Sequence, residues 1–162
     1  MGLRRSLFEM KIKRPIRLIL IVIYFGILAI ITLGRHGYHT TNVILYWDYI
    51  KRNIQLVPTK TIFEFLQLVF NSSTNDTVRM LSALNLVGNI AMFIPFGLFW
   101  GRKRLGNFVI WAIVFTAVIE VIQLFTLKGS FDIDDILLNV FGAIIGYILY
   151  NKIGKYIFGT KD

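Results

Sequence analysis

The residues of this chain best suited to chemistry stand where polar groups are costly. Residues 130 to 147, SFDIDDILLNVFGAIIGY, put Asp132, Asp134 and Asp135 at the head of an apolar run and Asn139 one turn further on. Two other apolar runs carry polar residues of their own, Asn85 and Asn89 in one, Glu120 and Gln123 in the other. Paired carboxyls suit acid-base work, and carboxyl and amide oxygens together suit a hard cation such as Mg²⁺. The same groups without a nucleophile suit binding. No cysteine is present, which excludes disulfides and thiolate sites. No activated Ser, Cys or His stands out either, so the sequence leans away from an enzyme, and Glu120 and Asp135 are the catalytic candidates if it is one. His36 and His39 have a metal-like spacing only in a helix; beside Gly37, at the end of an apolar run, they read as interfacial loop residues, and no metal site or cofactor is expected.

The elements that must position these groups are membrane helices. Of 162 residues, 56% are hydrophobic, and the mean hydropathy is +0.64, beyond what a soluble domain normally carries. Four segments, residues 16–33, 80–100, 105–127 and 133–150, are long and apolar enough for a bilayer core of about 30 Å. The spacing predicts an all-α bundle of four transmembrane helices forming a single domain over 1–162. The first apolar segment follows basic residues as a signal peptide would, but its leader is long and no small-residue cleavage site follows, so it reads as an uncleaved span.

Basic residues set the orientation. One side collects Arg4, Arg5, Lys11, Lys13, Arg14, Arg17, Arg102, Lys103, Arg104, Lys152, Lys155 and Lys161, which marks it, with both termini, as cytoplasmic. The other side shares its cations with acids. The formal charge of +9 is thus a topology signal, and no nucleic-acid partner is expected. In the first outer loop, Thr61 and Glu64 have capping-box spacing ahead of Phe65, Leu66, Val69 and Phe70, which predicts a short amphipathic helix over 61–70. The short connections GRKRLG and LKGSFD predict that the second, third and fourth spans pack as consecutive antiparallel hairpins.

Depth and helical phase then sort the polar groups. At ~1.5 Å of rise per residue, Asn85, Asn89, Glu120, Gln123, Asp132, Asp135 and Asn139 all fall in the outer half of the membrane. At about 100° per residue, Asp132, Asp135, Asn139, Gly142 and Gly146 form one stripe, and Asp134 points roughly opposite. Gly142 and Gly146 have the G-x-x-x-G spacing that admits a close neighbouring helix. Pro95 and Gly97, in FIPFG, suit a kink that frees a backbone carbonyl. A polar pocket open to the outer face, lined by these seven residues, accounts for the pattern. Capping explains Asp132 and Asp134 equally well, and interhelical hydrogen bonding explains the amides. Neither explains Glu120, whose carboxyl must be neutralised by a proton, a cation or a basic neighbour, with Lys128 and Arg35 the nearest candidates on the outer side.

NLVGNIAMFIPFG (85–97), EVIQ (120–123) and GSFDIDDILLNVFGAIIGY (129–147) resemble the signature blocks of the VanZ-like family, and LGR (33–35) and NIQLVPTKTI (53–62) its weaker blocks. The resemblance implies a small multi-pass protein of the bacterial cytoplasmic membrane, associated with lower sensitivity to teicoplanin and related glycopeptide or lipoglycopeptide antibiotics. Its pattern falls on Asn85, Asn89, Pro95, Gly97, Glu120, Gln123, Asp132, Asp135, Asn139 and Gly142. One departure is Lys128 followed by Gly129, where members often carry Arg, which weakens the case for a bidentate anion grip.

Three functions compete. One is a binding protein whose outer-leaflet pocket takes a cell-envelope lipid or glycopeptide-type antibiotic. The second is an intramembrane enzyme acting on a lipid-linked phosphate or acyl group through Glu120 and Asp135, the one case that calls for a divalent cation. The third is a small lipid carrier or scramblase, for which four spans are few unless the chain forms a homodimer. The first is preferred because nothing in the sequence demands turnover.

Overall fold

A computed structural model describes residues 14–34, 37–101 and 104–154. Among the cations used above for orientation, Arg4, Arg5, Lys11, Lys13, Arg102, Lys103, Lys155 and Lys161 lie outside the described residues, as do Arg35 and His36. Six α-helices occur among the described residues: α1 (Arg14–Leu33), α2 (Val43–Arg52), α3 (Lys60–Phe70), α4 (Asp76–Trp100), α5 (Leu105–Phe125) and α6 (Ile133–Leu149). Of these, α1, α4, α5 and α6, the last together with its helical continuation to Ile153, are long and apolar enough to cross a membrane. Two-residue strands β1 (Ile54–Gln55) and β2 (Phe131–Asp132) pair in parallel, a small departure from the all-α expectation. That pairing ties the long loop to the head of α6.

The closest helix pair is α4 with α6. A methyl group on Gly142 would collide with the Ile90 carbonyl oxygen, one on Gly146 with that of Ile94, and one on Gly97 with that of Ala143. Three glycines therefore let two backbones touch, and the rising register (90 with 142, 94 with 146) makes the pair parallel. The expectation of consecutive hairpins holds for α5 and α6, which pack together, and is corrected for α4 and α5. Between α4 and α5 the contact runs through bulky rings, Phe96 stacked on Phe115 at 5.0 Å and tilted against Phe108 at 6.0 Å, which hold the two backbones apart. A chain-adjacent pair is separated by side-chain volume, and a distant pair is joined by its absence.

Helix α1 runs antiparallel to α4, with Arg17 Nη2 donating to the Phe99 carbonyl at 2.7 Å and the Tyr24 hydroxyl to that of Met92 at 3.1 Å. Its Ile19, Val22, Ile23, Ile27 and Ile30 stay exposed, as side chains meant for lipid would. Pro95 lies inside α4 and offers no N–H to the carbonyl four residues before it, yet the helix continues to Trp100.

The loop end carries more structure than its sequence suggests. Asn42 caps α2 by accepting from Ile44 and Leu45 N–H, and Tyr46 and Tyr49 donate to the carbonyls of Phe125 and Gly129. Ile50, Leu124 and Leu127 form a second small core under these tyrosines. Leu127 has φ 58°, the left-handed conformation at the end of α5, with Lys128 N–H returning to the Gln123 carbonyl and Leu127 N–H to that of Leu124. Glycine is usual at such a C-cap. Burial of the Leu127 side chain offsets the backbone cost.

The capping box expected at Thr61 and Glu64 does not form. Thr61 lies inside α3, its hydroxyl donating to Asp132 Oδ2 at 2.7 Å, and Glu64 is exposed. The cap comes instead from another helix. Asp134 Oδ1 accepts from Thr59 N–H at 2.5 Å, and Oδ2 from Ile62 N–H at 3.1 Å.

Candidate functional site

Asn85, Asn89, Glu120, Gln123, Asp135 and Asn139 line one cavity between α1, α4, α5 and α6, together with Ile31, Thr32, Met92, Phe93 and Ile119. Four elements cooperate to bring them there. The glycine-mediated approach of α4 and α6 carries Asn89 Nδ2 within 2.5 Å of Asp135 Oδ1, to which it donates. The end of α5 is fixed by Lys128, whose ammonium donates to the Leu33 carbonyl at the C-terminus of α1, where a cation suits the helix dipole. That tie sets Gln123 beside α1, and its Nε2 donates to the Thr32 carbonyl at 3.0 Å.

Burial here is nearly complete for the groups that cost most. Glu120 and Asn139 are each 3% exposed, on helices whose other faces are apolar. Asn139 Oδ1 is buried without a hydrogen-bond partner among the described residues. A buried acceptor without a donor is costly, so this one has a claim on whatever enters the cavity. The cavity encloses about 30 Å³, room for one or two water-sized groups by the usual measure of internal volume. It admits the tip of a larger molecule, not its body.

Asp132 does not line the cavity. It is the N-cap of α6, accepting from Asp134 N–H at 2.9 Å, and its other oxygen takes the Thr61 hydroxyl. Asp134 is fully buried and serves α3 as described. Lys128, proposed from sequence as a neighbour for Glu120, forms no ion pair with it among the described residues, and Arg35 lies outside them. His39 is exposed, and no group of three or more His, Cys, Asp or Glu gathers among the described residues. Pro95, Gly97, Gly142 and Gly146 stand on the α4–α6 pair, Gly97, Gly142 and Gly146 at its point of contact.

Sequence reasoning missed Thr32, which is buried at the cavity wall with its hydroxyl turned back to the Leu28 carbonyl at 2.7 Å. The signal was present, since Thr32 is a polar residue near the end of an otherwise apolar helix. It also missed α2, whose Val43, Ile44 and Trp47 are exposed on one face. A capping Asn42 and the Asp48–Arg52 spacing, an ion pair at 3.0 Å, could have disclosed it.

Four helices long and apolar enough to cross a membrane, with ionisable and amide side chains gathered between them, define a multi-pass membrane protein with a buried polar site. The chain belongs to the VanZ/LLP1 family, whose family model matches residues 21–157 and so takes in every residue of the cavity. Comparison with curated proteins and with solved structures gave no match.

Proposed function

We propose that the protein holds the polar head of a cell-envelope lipid, or the corresponding tip of a glycopeptide-type antibiotic, in an outer-leaflet pocket of the bacterial cytoplasmic membrane, and that this lowers antibiotic sensitivity. The observation that carries the reading is the convergence of six polar side chains from α4, α5 and α6 on one buried cavity. Such groups are retained inside a membrane bundle where they meet a substrate or an ion. The volume favours a headgroup, because a whole antibiotic cannot enter. No cofactor is called for, and partners are the bilayer and the captured molecule.

Deletion followed by complementation tests this. Wild-type protein restores resistance across a panel of envelope-targeting antibiotics, and Glu120→Gln, expressed to the same level in the membrane, does not. Full protection by both Glu120→Gln and Asn139→Leu would overturn the reading. A catalytic alternative draws on one observation, that Glu120 and Asp135 share the cavity. Turnover of a lipid-linked phosphate by the purified protein, abolished in Asp135→Asn, would favour it.

A further inference from the structure

Helix α2 leaves an apolar face uncovered beside a membrane-spanning helix. At about 100° per residue, Val43, Ile44, Trp47 and Lys51 share one arc of the helix, and Tyr46, Tyr49 and Ile50 share another across from it. The second arc is spent on the protein: Tyr46 and Tyr49 donate to the carbonyls of Phe125 and Gly129, and Ile50 packs against Leu124 and Leu127. The first is not. Val43 is 69% exposed, Ile44 77% and Trp47 51%, and with Asp48 and Lys51 they border an open recess of about 450 Å³.

The place, the rings and the charge of this face indicate what covers it. The tyrosine bonds hold α2 level with the last turn of α5, whose Val121, Ile122 and Phe125 are exposed as well, so the apolar surface of α2 stands at the margin of a lipid-facing one. Aromatic rings gather at this level, with Trp47 edge-on to Tyr46 at 5.6 Å and Tyr38 stacked on Tyr49 at 5.4 Å. Amphipathic rings favour headgroup depth. Arg52 is taken by Asp48 in an ion pair at 3.0 Å, while Lys51, one turn from Trp47, forms no ion pair among the described residues. An ammonium on a long apolar stem, next to a row of apolar side chains, is complementary to lipid phosphate.

We propose that α2 is an interfacial helix docked on the bilayer itself: Val43, Ile44 and Trp47 enter the boundary between headgroups and acyl chains, and the Lys51 ammonium meets a lipid phosphate. The long loop is then held at both sides of one helix, to α5 through tyrosines and to phospholipid through this face. The docking surface is separate from the polar cavity and stands whether or not the cavity takes a headgroup.

Spin labels read this directly, because the chain has no cysteine. The full chain carries a nitroxide on Ile44→Cys, or on Arg52→Cys as the reference on the solvent side of α2, in nanodiscs of phosphatidylglycerol and phosphatidylcholine. Oxygen concentrates in lipid and a water-soluble nickel complex is kept out of it. The label at position 44 should collide mainly with oxygen and the label at 52 mainly with nickel. Val43→Cys gives a second reading on the same face should the first variant fold poorly. Lys51→Glu, which repels phosphate, should lower the oxygen-to-nickel ratio at position 44 by about twofold or more. Nickel-dominated collisions at 43 and 44 would mean that α2 stands in water and would overturn the proposal. So would exclusion of both reagents there, which with dipolar broadening between labels identifies a second copy of the chain as the occupant, and without it another segment of the same chain. An unchanged ratio in Lys51→Glu overturns the phosphate contact.

Discussion

Asp134 shows how a side chain's sequence context can mislead about its partner. Its phase sets it apart from the polar stripe of α6, and helix-start chemistry is the natural expectation; the helix it caps is α3, more than seventy positions earlier in the chain. Two backbone N–H groups depend on one fully buried carboxyl. Asp134→Ala leaves them without that acceptor, and unfolding in detergent should show a loss of about 1–3 kcal/mol. Glu64→Ala, at the exposed position once assigned to the cap, should change stability by less than ~0.5 kcal/mol. Equal losses in the two variants would mean that α3 is capped from within. Asn139 makes the complementary case at the same scale. Its oxygen was legible as a polar group at depth, but the absence of a partner was not, because a missing hydrogen bond is a property of the neighbours.

At the scale of elements, the α4–α6 contact positions the site. Helices packed in lipid gain little from a hydrophobic effect, so close backbone approach supplies the dispersion contact that holds them, and small residues permit it. Gly142→Ala would press a methyl group into the Ile90 carbonyl, and the helices would have to part, at a cost of about 1–3 kcal/mol for overpacking. The same separation would pull Asn89 from Asp135, so the variant should also lose resistance in the complementation assay. Gly88 is the control, because a methyl group there meets nothing within 4 Å. Gly88→Ala should be neutral or stabilising by up to ~1 kcal/mol, as expected for a helix interior. A Gly142→Ala protein as stable and protective as Gly88→Ala would remove the contact from the account.

For the whole molecule, the arrangement puts the loop-bearing ends of α1, α4, α5 and α6 together, and the distribution of Lys and Arg predicts that this end faces outward. The chain lacks cysteine, so single introduced cysteines report side directly. Ser73→Cys, in the turn between α3 and α4, should react with a membrane-impermeant maleimide in intact cells, and Asn107→Cys, near the start of α5, only after permeabilisation. Reversed labelling would put the cavity in the inner leaflet and rule out the outer-leaflet function. By itself the sequence determined the four apolar helices, the family, and the residues of the polar cavity apart from Thr32. Those properties follow from hydropathy and helical phase, which act along a single segment. The tertiary structure decided which helices touch, that Asp132 and Asp134 hold α3 and lie apart from the cavity, and that the Asn139 amide oxygen is buried there without a hydrogen-bond partner among the described residues. Each depends on which partner fills a given space or takes a given proton, and that choice is made only when distant segments of the chain are packed together.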